Sequence, residues 1–412
     1  MRVLLVHNYY GSAAPSGENV VFEAELRLLK ERGHDVALFT RHSDQIRSSN
    51  LFAAAAGAIY GGLVTPWNPL SVRALDRAMS DFQPNVVHIH NTFPLISPGV
   101  FGRAHRHAAT VLTLHNYRLQ CAAGIPMRNG KVCTQCIDRQ ASWPAVMHGC
   151  YRGSRAASVP VAAKIALHRR LGTWSNEIDA YIALSDFQRQ RMTDGGLPAR
   201  KMFVKPNFFP GSPDVIPWEE REERAVCVGR VGAEKGVTEL VDAWLAWGAA
   251  APELAIVGDG PLRQVLEQRV TRSGVKNIRF VGQVDAETAQ RWVATSKLLL
   301  LPSKWFEGFP MALREAFAYG TPAIVSNLGP LPEIVADGMA GAIVEAGNSR
   351  NLMEVAATVW QDEPRLRDLS IAARREYETK YTEGVNYQSL MNIYKHAISI
   401  REHECTGERE VA

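Results

Sequence analysis

Short apolar runs that alternate with helical segments are the feature that most constrains the fold of this chain. The run from Val3 to Val6 precedes a small polar loop and a segment with helical periodicity from Gly17 to Arg32, which Gly33 ends. Further apolar runs, each predicted to be a buried strand, follow at residues 36–39, 86–89, 111–114 and 180–184. Strands separated by helices predict a parallel sheet with helices on both faces.

The same alternation begins again after the stretch from Pro206 to Pro217, which carries four prolines and is predicted to be a linker. The later apolar runs are residues 225–228, 254–257, 278–281, 298–301 and 323–325. The pattern predicts two doubly wound α/β domains joined near residue 210. Ligands bind beyond the carboxyl ends of the strands in such sheets. We therefore expect the two carboxyl edges to face each other across a cleft.

The composition is that of a globular protein, with 46% hydrophobic and 21% charged residues. A net charge of +4 is too small to indicate a nucleic-acid partner, and none is expected. The apolar run at Val3 is too short for a signal peptide, and prolines and glycines interrupt the uncharged stretch from Leu51 to Val72. We expect a cytoplasmic protein whose only membrane contact is peripheral, at the inner face.

Charge is distributed unevenly along the chain. No acidic residue lies between Asp138 and Glu177, whereas six basic residues do: Arg139, Arg152, Arg155, Lys164, Arg169 and Arg170. One interpretation is attraction to anionic lipid headgroups or to a phosphorylated acceptor. The other is a solvated surface beside an acidic part of the second domain.

The segment from Glu307 to Glu315 is the most informative part of the sequence. It follows a buried strand, turns at Gly308 and opens a helix, so that unpaired backbone N–H groups and the positive end of a helix dipole are available for phosphate. A carboxylate at Glu315 is suited to accept hydrogen bonds from two ribose hydroxyls. The alternative, two glutamates on a solvated helix face, does not explain the strand, turn, glycine and proline around them.

Two cations follow the strand that ends at Val228. Arg230 and Lys235 come at its carboxyl end, just before a helix. Two cations there would stabilise a diphosphate, which gains negative charge as a sugar departs from it. Arginine grips phosphate with two parallel hydrogen bonds, and lysine acts as a point charge. A pair of surface cations is the alternative.

The segment from Glu307 to Glu315 resembles the two glutamates, separated by seven residues, of the retaining glycosyltransferases of family 4. The similarity extends from Met1 to about Ile400. It implies the GT-B fold, retention of configuration, and a donor diphosphate held by Arg230 and Lys235 without a catalytic metal. Glu315 would hold the donor ribose and Glu307 the sugar hydroxyls. The backbone after Gly308, through Phe309, Pro310 and Met311, would lie near the sugar and diphosphate.

The resemblance also marks residues of the first half. Family members usually carry paired glycines followed two residues later by glutamate, and these glycines bring the backbone close to the donor phosphate and the acceptor. This chain has Ser16, Gly17 and Glu18 instead, so that Gly17 alone remains a candidate for that contact. His115 would touch a hydroxyl of the donor sugar and orient it; a structural histidine is the alternative. His88 and His90 share one strand face and are predicted to pack and support rather than to bind a metal.

Four cysteines lie within thirty residues: Cys121, Cys133, Cys136 and Cys150. The spacing of Cys133 and Cys136 is that of a zinc knuckle, and the other two would complete four thiolate ligands. A structural zinc is the preferred interpretation, with buried thiols or a redox-sensitive pair as alternatives. The resemblance implies that this stretch is an insertion, about residues 119–172, seen in a subset of bacterial members.

These observations predict an acceptor-binding domain at residues 1–208, a nucleotide-sugar-binding domain at 209–384 and a terminal helix at 385–400. By the resemblance that helix crosses back to the N-terminal domain. The expected function is transfer of a sugar from a nucleotide-diphosphate sugar to a lipid-linked or glycan acceptor, in surface polysaccharide biosynthesis. Two rivals remain: a sugar-nucleotide epimerase on the same scaffold, and a catalytically silent partner in a polysaccharide assembly complex.

Overall fold

The structure is a computed structural model of the chain. It describes residues 1–11, 16–46, 50–336 and 338–407. The predicted loop between Gly11 and Gly17 falls largely on residues 12–15, which lie outside the described residues.

Internal contacts divide the chain into two units. Unit 1 comprises Met1–Pro126, Thr134–Lys205 and Tyr387–Ala412, and unit 2 comprises Met127–Cys133 and Pro206–Asn386. The predicted domain border, after residue 208, falls three residues beyond Lys205. The terminal helix begins at Glu383, two residues before the predicted start at residue 385.

The helices and strands up to Val204 follow in chain order. They are β1 (Arg2–Tyr9), α1 (Gly17–Glu31), β2 (Asp35–His42), α2 (Leu51–Val64), α3 (Pro69–Phe82), β3 (Val86–Asn91), α4 (Phe101–His107), β4 (Ala109–Thr113), β5 (Met127–Arg128), β6 (Lys131–Val132), α5 (Gln135–Asp138), α6 (Trp143–Met147), α7 (Arg155–Arg170), α8 (Thr173–Asn176), β7 (Ala180–Ala183), α9 (Asp186–Asp194) and β8 (Met202–Val204).

The sheet of unit 1 has the order β2-β1-β3-β4-β7-β8, and its paired strands run parallel. Its core buries Val3 and Leu5 of β1 and Phe22 of α1. The prediction of a buried strand at residues 36–39 is wrong in one respect. β2 forms the edge of the sheet, and Phe39 is its only buried residue, because helices cover the sheet centre more completely than its edge.

The remaining elements are β9 (Glu222–Val228), α10 (Val237–Trp247), β10 (Glu253–Val257), α11 (Arg263–Ser273), β11 (Ile278–Gly282), α12 (Ala286–Ala294), β12 (Ser296–Leu301), α13 (Met311–Ala318), β13 (Ala323–Ser326), α14 (Leu331–Val335), β14 (Gly341–Val344), α15 (Ser349–Gln361), α16 (Glu363–Lys380) and α17 (Glu383–Gly407).

The sheet of unit 2 has the order β11-β10-β9-β12-β13-β14, again with parallel pairs. Its centre is the continuous apolar run of β12, which is buried on every residue, as expected for a parallel strand covered on both faces. The order reverses direction between β9 and β12, and such a switch point is where doubly wound sheets bind ligands. The prediction of two parallel α/β sheets is confirmed.

Candidate functional site

Loops from neighbouring strands meet at the switch point of unit 2. β9 ends at Val228 and β12 at Leu301, and these two strands pair directly. Gly236 starts α10 with φ of +69°, and a Cβ there would lie 1.9 Å from the carbonyl oxygen of Pro302. Only glycine allows this approach, which brings the loop after β9 against the loop after β12.

Lys235 and Glu307 form the centre of this edge. Lys235 Nζ donates to Glu307 Oε1 over 2.7 Å, and the Ser303 hydroxyl donates to the same oxygen over 2.6 Å. The Glu307 carboxylate is buried, with 4% of the residue exposed, so it depends on these two donors to offset its lost hydration. The ring of Trp305 lies 5.5 Å from Lys235 Nζ and adds a cation–π contact. Ser303 carries no sequence signal of its own, because serine is a common residue in loops.

Arg230 stands apart from this pair. Its side chain is 66% exposed, and it forms a long ion pair of 3.8 Å with Glu234, on the same loop. A guanidinium held so loosely remains available to an anionic ligand at the carboxyl end of β9.

The turn before α13 separates side chains with different surroundings. Phe309 is buried and packs its ring 5.3 Å from that of Tyr381, so only its backbone is offered at the turn. Gly308 and Met311 are partly exposed, and Pro310 is the residue directly before α13. Burial raises the pKa of Glu315, against the opposing effect of Arg314, whose Nη2 lies 3.7 Å away. Donors such as ribose hydroxyls would favour the ionised form.

Two side chains connect the start of α1 to the loop after β4 in unit 1. Asn116 donates to Glu18 over 2.5 Å, and its own oxygen accepts from the backbone N–H of Arg118 at 2.8 Å. Burial raises the pKa of Glu18, while Asn116 and Arg118 oppose the shift. Gly17, the predicted phosphate contact, is the first residue of α1 beside this group. Neither Glu18 nor Asn116 was predicted from the sequence to be a site residue, because their contact joins two distant parts of the chain.

His115 follows β4 and belongs to a cluster of histidines. Its Nε2 lies 3.0 Å from Nδ1 of His90, so one ring donates and the other accepts. Burial holds the pKa of His115 well below 6.5 and lowers that of His90 to about 4. Both rings are therefore neutral at pH 7, which suits hydrogen bonding to a sugar hydroxyl better than proton transfer.

A buried ion pair lies beneath the histidines. Lys205 Nζ donates to Glu25 Oε2 over 3.0 Å, and the other carboxylate oxygen lies 3.0 Å from Nδ1 of His88 and 3.3 Å from Nε2 of His90. Burial alone would raise the pKa of Glu25, but Lys205 and His88 outweigh it and hold the pKa well below its usual value. His88 also contacts the hydroxyls of Tyr394 and Thr113. The histidines therefore support the site by hydrogen bonding.

Glu25, His88 and His90 are also the one group of three metal-type ligands that converges within the described part of the chain. The Lys205 ammonium already neutralises this carboxylate, which disfavours a cation there.

The predicted cysteine ligands do not form such a group among the described residues. Cys136 is buried, and Cys121, Cys133 and Cys150 are partly buried. Burial raises the pKa of Cys121 to about 12, and Cys136 adds to this effect. Zinc would have to displace these protons, because the thiolate is the ligand. The structural zinc stays a prediction.

Comparison with known proteins gives matches along most of the chain. A family profile described as "Glycosyltransferase Family 4" matches residues 15–210, and one described as "Glycosyl transferases group 1" matches residues 211–376.

Two curated relatives match over part of their length. The amylovoran biosynthesis glycosyltransferase AmsK of Erwinia amylovora is 26% identical, over 41% of this chain and 44% of its own. A phosphatidyl-myo-inositol mannosyltransferase of Mycobacterium leprae is 28% identical, over 55% of this chain and 61% of its own. The matches thus span about half the length of these relatives.

Among solved structures, HepE of Anabaena in complex with UDP superposes with a TM-score of 0.64 at 16% identity, covering 95% of this chain and 99% of that one. This similarity establishes the GT-B fold. No helix within the described residues has the length and apolar character needed to span a membrane.

Proposed function

The chain belongs to glycosyltransferase family 4, and from this premise we propose that it transfers a sugar from a nucleotide-diphosphate sugar to a lipid-linked or glycan acceptor. The transfer retains the configuration at the anomeric carbon and serves the assembly of a surface polysaccharide or glycolipid. The observation that carries the proposal is the pairing of Lys235 with Glu307 at the switch point of unit 2.

Unit 2 binds the donor in this proposal. Arg230 and Lys235 place two cations at the carboxyl end of β9, where they stabilise the diphosphate that departs with the electron pair of the bond to the sugar. The acceptor oxygen forms the new bond to the anomeric carbon, and its proton passes to the departing diphosphate. Because these cations take up the charge, no catalytic metal is needed.

Glu307 has two tasks. Its carboxylate holds the Lys235 ammonium in place, and its buried position makes it a fixed acceptor for hydroxyl groups of the donor sugar. Glu315 accepts hydrogen bonds from the ribose, which offset the effect of burial on its pKa.

Unit 1 binds the acceptor near Gly17 and His115. The neutral His115 orients a sugar hydroxyl, and Glu25 and His90 hold its ring in position. The relative AmsK is named for amylovoran biosynthesis, and the mycobacterial relative is named for transfer of mannose to phosphatidyl-myo-inositol. Those names support a role in polysaccharide or glycolipid synthesis.

Calorimetry with UDP, GDP, ADP and CMP, with and without magnesium, tests the donor site. We expect one diphosphate to bind without metal, and binding to be lost in Glu315→Ala and Arg230→Ala. Arg269→Ala is the matched control, because Arg269 is also a half-exposed arginine and pairs with Asp242 away from the switch point. Failure of every nucleotide to bind would contradict the proposal. Turnover of the bound sugar nucleotide to an epimer without acceptor would favour the epimerase.

A further inference from the structure

Helix α2 of unit 1 has an unusual surface. Its fourteen residues include no charged side chain, yet Phe52 is 89%, Ile59 65% and Leu63 73% exposed. A helix that is apolar on all sides is ordinarily buried in a core or in lipid. At about 1.5 Å per residue it is too short to span a bilayer of about 30 Å.

Helix α7 packs beside α2 and continues the same kind of surface. Val159 is 50% and Leu167 36% exposed, and Leu171, directly after the helix, is 53% exposed. The short helix α6, which also packs against α7, exposes Trp143 and Met147. Exposed apolar side chains on three neighbouring helices indicate a surface that a ligand covers.

A cavity of about 460 Å³ lies between α2 and α7. The α2 wall is made of small residues, among them Ala54, Ala58 and Gly62, and the α7 wall includes Ala157 and Val161. This volume falls within the range of roughly 300–1,000 Å³ typical of ligand sites. Small residues on both helices leave a slot in which a flexible hydrocarbon chain fits.

The polar lining of the cavity is basic. Arg152 lines it with the guanidinium 5.3 Å from the ring of Tyr151, and no carboxylate lines the cavity within the described residues. Behind one of the lining rings, that of Phe93, lie two further basic groups: the Arg118 guanidinium is 4.6 Å from the ring and Lys164 Nζ is 5.3 Å from it. Burial lowers the pKa of Lys164 to about 7, so the two guanidinium groups carry the fixed positive charge. An apolar slot beside these guanidinium groups complements a molecule that joins a hydrocarbon chain to an anionic head.

Tyr10 connects the cavity to the candidate acceptor site. It lines the cavity, and its hydroxyl interacts with Arg118 and Asn91, while Glu18 lies close enough to influence its charge. A head group at Arg152 would therefore be adjacent to the group formed by Glu18 and Asn116.

We propose that the cavity between α2 and α7 binds the hydrocarbon chain of a phosphate-linked lipid acceptor, whose phosphate pairs with Arg152. The apolar surface of α2 is where the chain enters from the bilayer. This inference rests on the proposed function and deepens it, because it selects a lipid-linked acceptor over a free glycan.

Farnesyl phosphate is the probe, and its binding to the full chain is measured by calorimetry without any sugar nucleotide. Ala58→Trp fills the cavity and should weaken binding about 10-fold or more. Ala55→Trp is the matched control, because Ala55 is an exposed alanine of the same helix that does not line the cavity. Its affinity should equal that of the wild type. Should Ala58→Trp melt at a lower temperature than Ala55→Trp, Gly62→Val fills the slot from the same helix with a smaller side chain.

Arg152→Gln distinguishes the contribution of the phosphate to binding from that of the hydrocarbon chain. It should reduce the affinity for farnesyl phosphate about 10-fold to that of farnesol, and leave farnesol binding unchanged. The inference is overturned if neither compound binds. It is also overturned if the wild type binds farnesyl phosphate and farnesol with equal affinity. The inference is also overturned if the wild type is a dimer that dissociates in the double variant Phe52→Ser with Leu63→Ser, because a second copy would then cover α2.

The inference and the proposed function fail separately. Nucleotide binding without farnesyl phosphate binding leaves the transferase in place and removes the lipid site. Binding of farnesyl phosphate to a chain that binds no nucleotide establishes the lipid site and removes the transferase.

Discussion

Lys235 and Glu307 meet at 2.7 Å, although 72 residues separate them in the sequence. Each comes from a loop that follows one of two paired strands, β9 and β12. The ammonium is partly exposed and the carboxylate is buried. The pair therefore presents a fixed positive charge to a ligand while the protein supplies the counter-charge beneath it.

Replacing Lys235 should weaken donor binding selectively. We expect Lys235→Met to weaken diphosphate binding about 10-fold or more, because a charge-assisted hydrogen bond is lost. Lys304→Met is the matched control: Lys304 is two residues beyond Pro302, its side chain is 21% exposed against 22% for Lys235, and it pairs with Glu239. Calorimetry with the preferred nucleotide measures both variants. Equal losses would show that Lys235 has no special part in donor binding.

Glu25 and Lys205 should contribute to the stability of unit 1 as a coupled pair. The two side chains are 1% and 3% exposed, so Glu25→Gln leaves an ammonium buried without its partner. We expect that variant to lose about 3–5 kcal/mol in the free energy of unfolding. The double variant Glu25→Gln with Lys205→Met should recover most of this loss. Urea denaturation measures the wild type, both single variants and the double variant, and additive losses would contradict the coupling.

Acid should destabilise the chain through its buried histidines. The pKa of His90 is lowered from 6.5 to about 4, chiefly by burial, so the unfolded chain binds the proton more readily than the folded one. The contribution of the neutral His90 ring to the free energy of unfolding is therefore fully present above pH 6.5. It falls towards pH 4, by about 1.4 kcal/mol per pH unit for this proton. Glu25, whose pKa is also lowered, loses its contribution at still lower pH. Urea denaturation at several pH values should give a smaller slope for His90→Gln, and an unchanged slope would contradict the assignment.

Gly236 should tolerate no side chain. Gly236→Ala places a Cβ against the carbonyl of Pro302 and separates the two loops that carry Lys235 and Glu307. Gly274→Ala is the control, because Gly274 has the same left-handed backbone conformation, with φ of +75°, but open space around its Cβ position. The control should cost about 1–2 kcal/mol for its left-handed backbone alone. Gly236→Ala should cost more and also weaken nucleotide binding. Similar melting temperatures and affinities for the two variants would count against the close approach.

The zinc prediction is tested by metal analysis of protein purified under reducing conditions. We expect one zinc per chain, lost in the double variant Cys133→Ser with Cys136→Ser. That variant should loosen acceptor selection or lower solubility, and it should keep donor binding. Cys227→Ser, in β9, is the control and should retain the metal. Protein without zinc, or equal loss of donor binding in the folded double variant, would contradict the prediction.

The sequence by itself determined the fold class and most of the site edge in unit 2. Apolar runs such as Leu298–Leu301, separated by helical segments, favour parallel strands covered by helices, and the residues directly after such strands lie at the carboxyl edge. Arg230 and Lys235 could therefore be selected from position and chemistry, whereas the role of Glu307 was implied by the resemblance to family 4. The edge position of β2 could not, because an apolar run does not state how much of it a neighbouring layer covers.

Only the tertiary structure decided which groups touch. Ser303 donating to Glu307, and Lys205 reaching Glu25 across 180 residues, depend on strand order and loop approach, which no local pattern encodes. The same holds for the cavity between α2 and α7, since an uncharged stretch does not reveal whether its helix is covered. Local sequence sets the backbone and its periodicity, whereas contacts between distant residues arise from packing the whole chain.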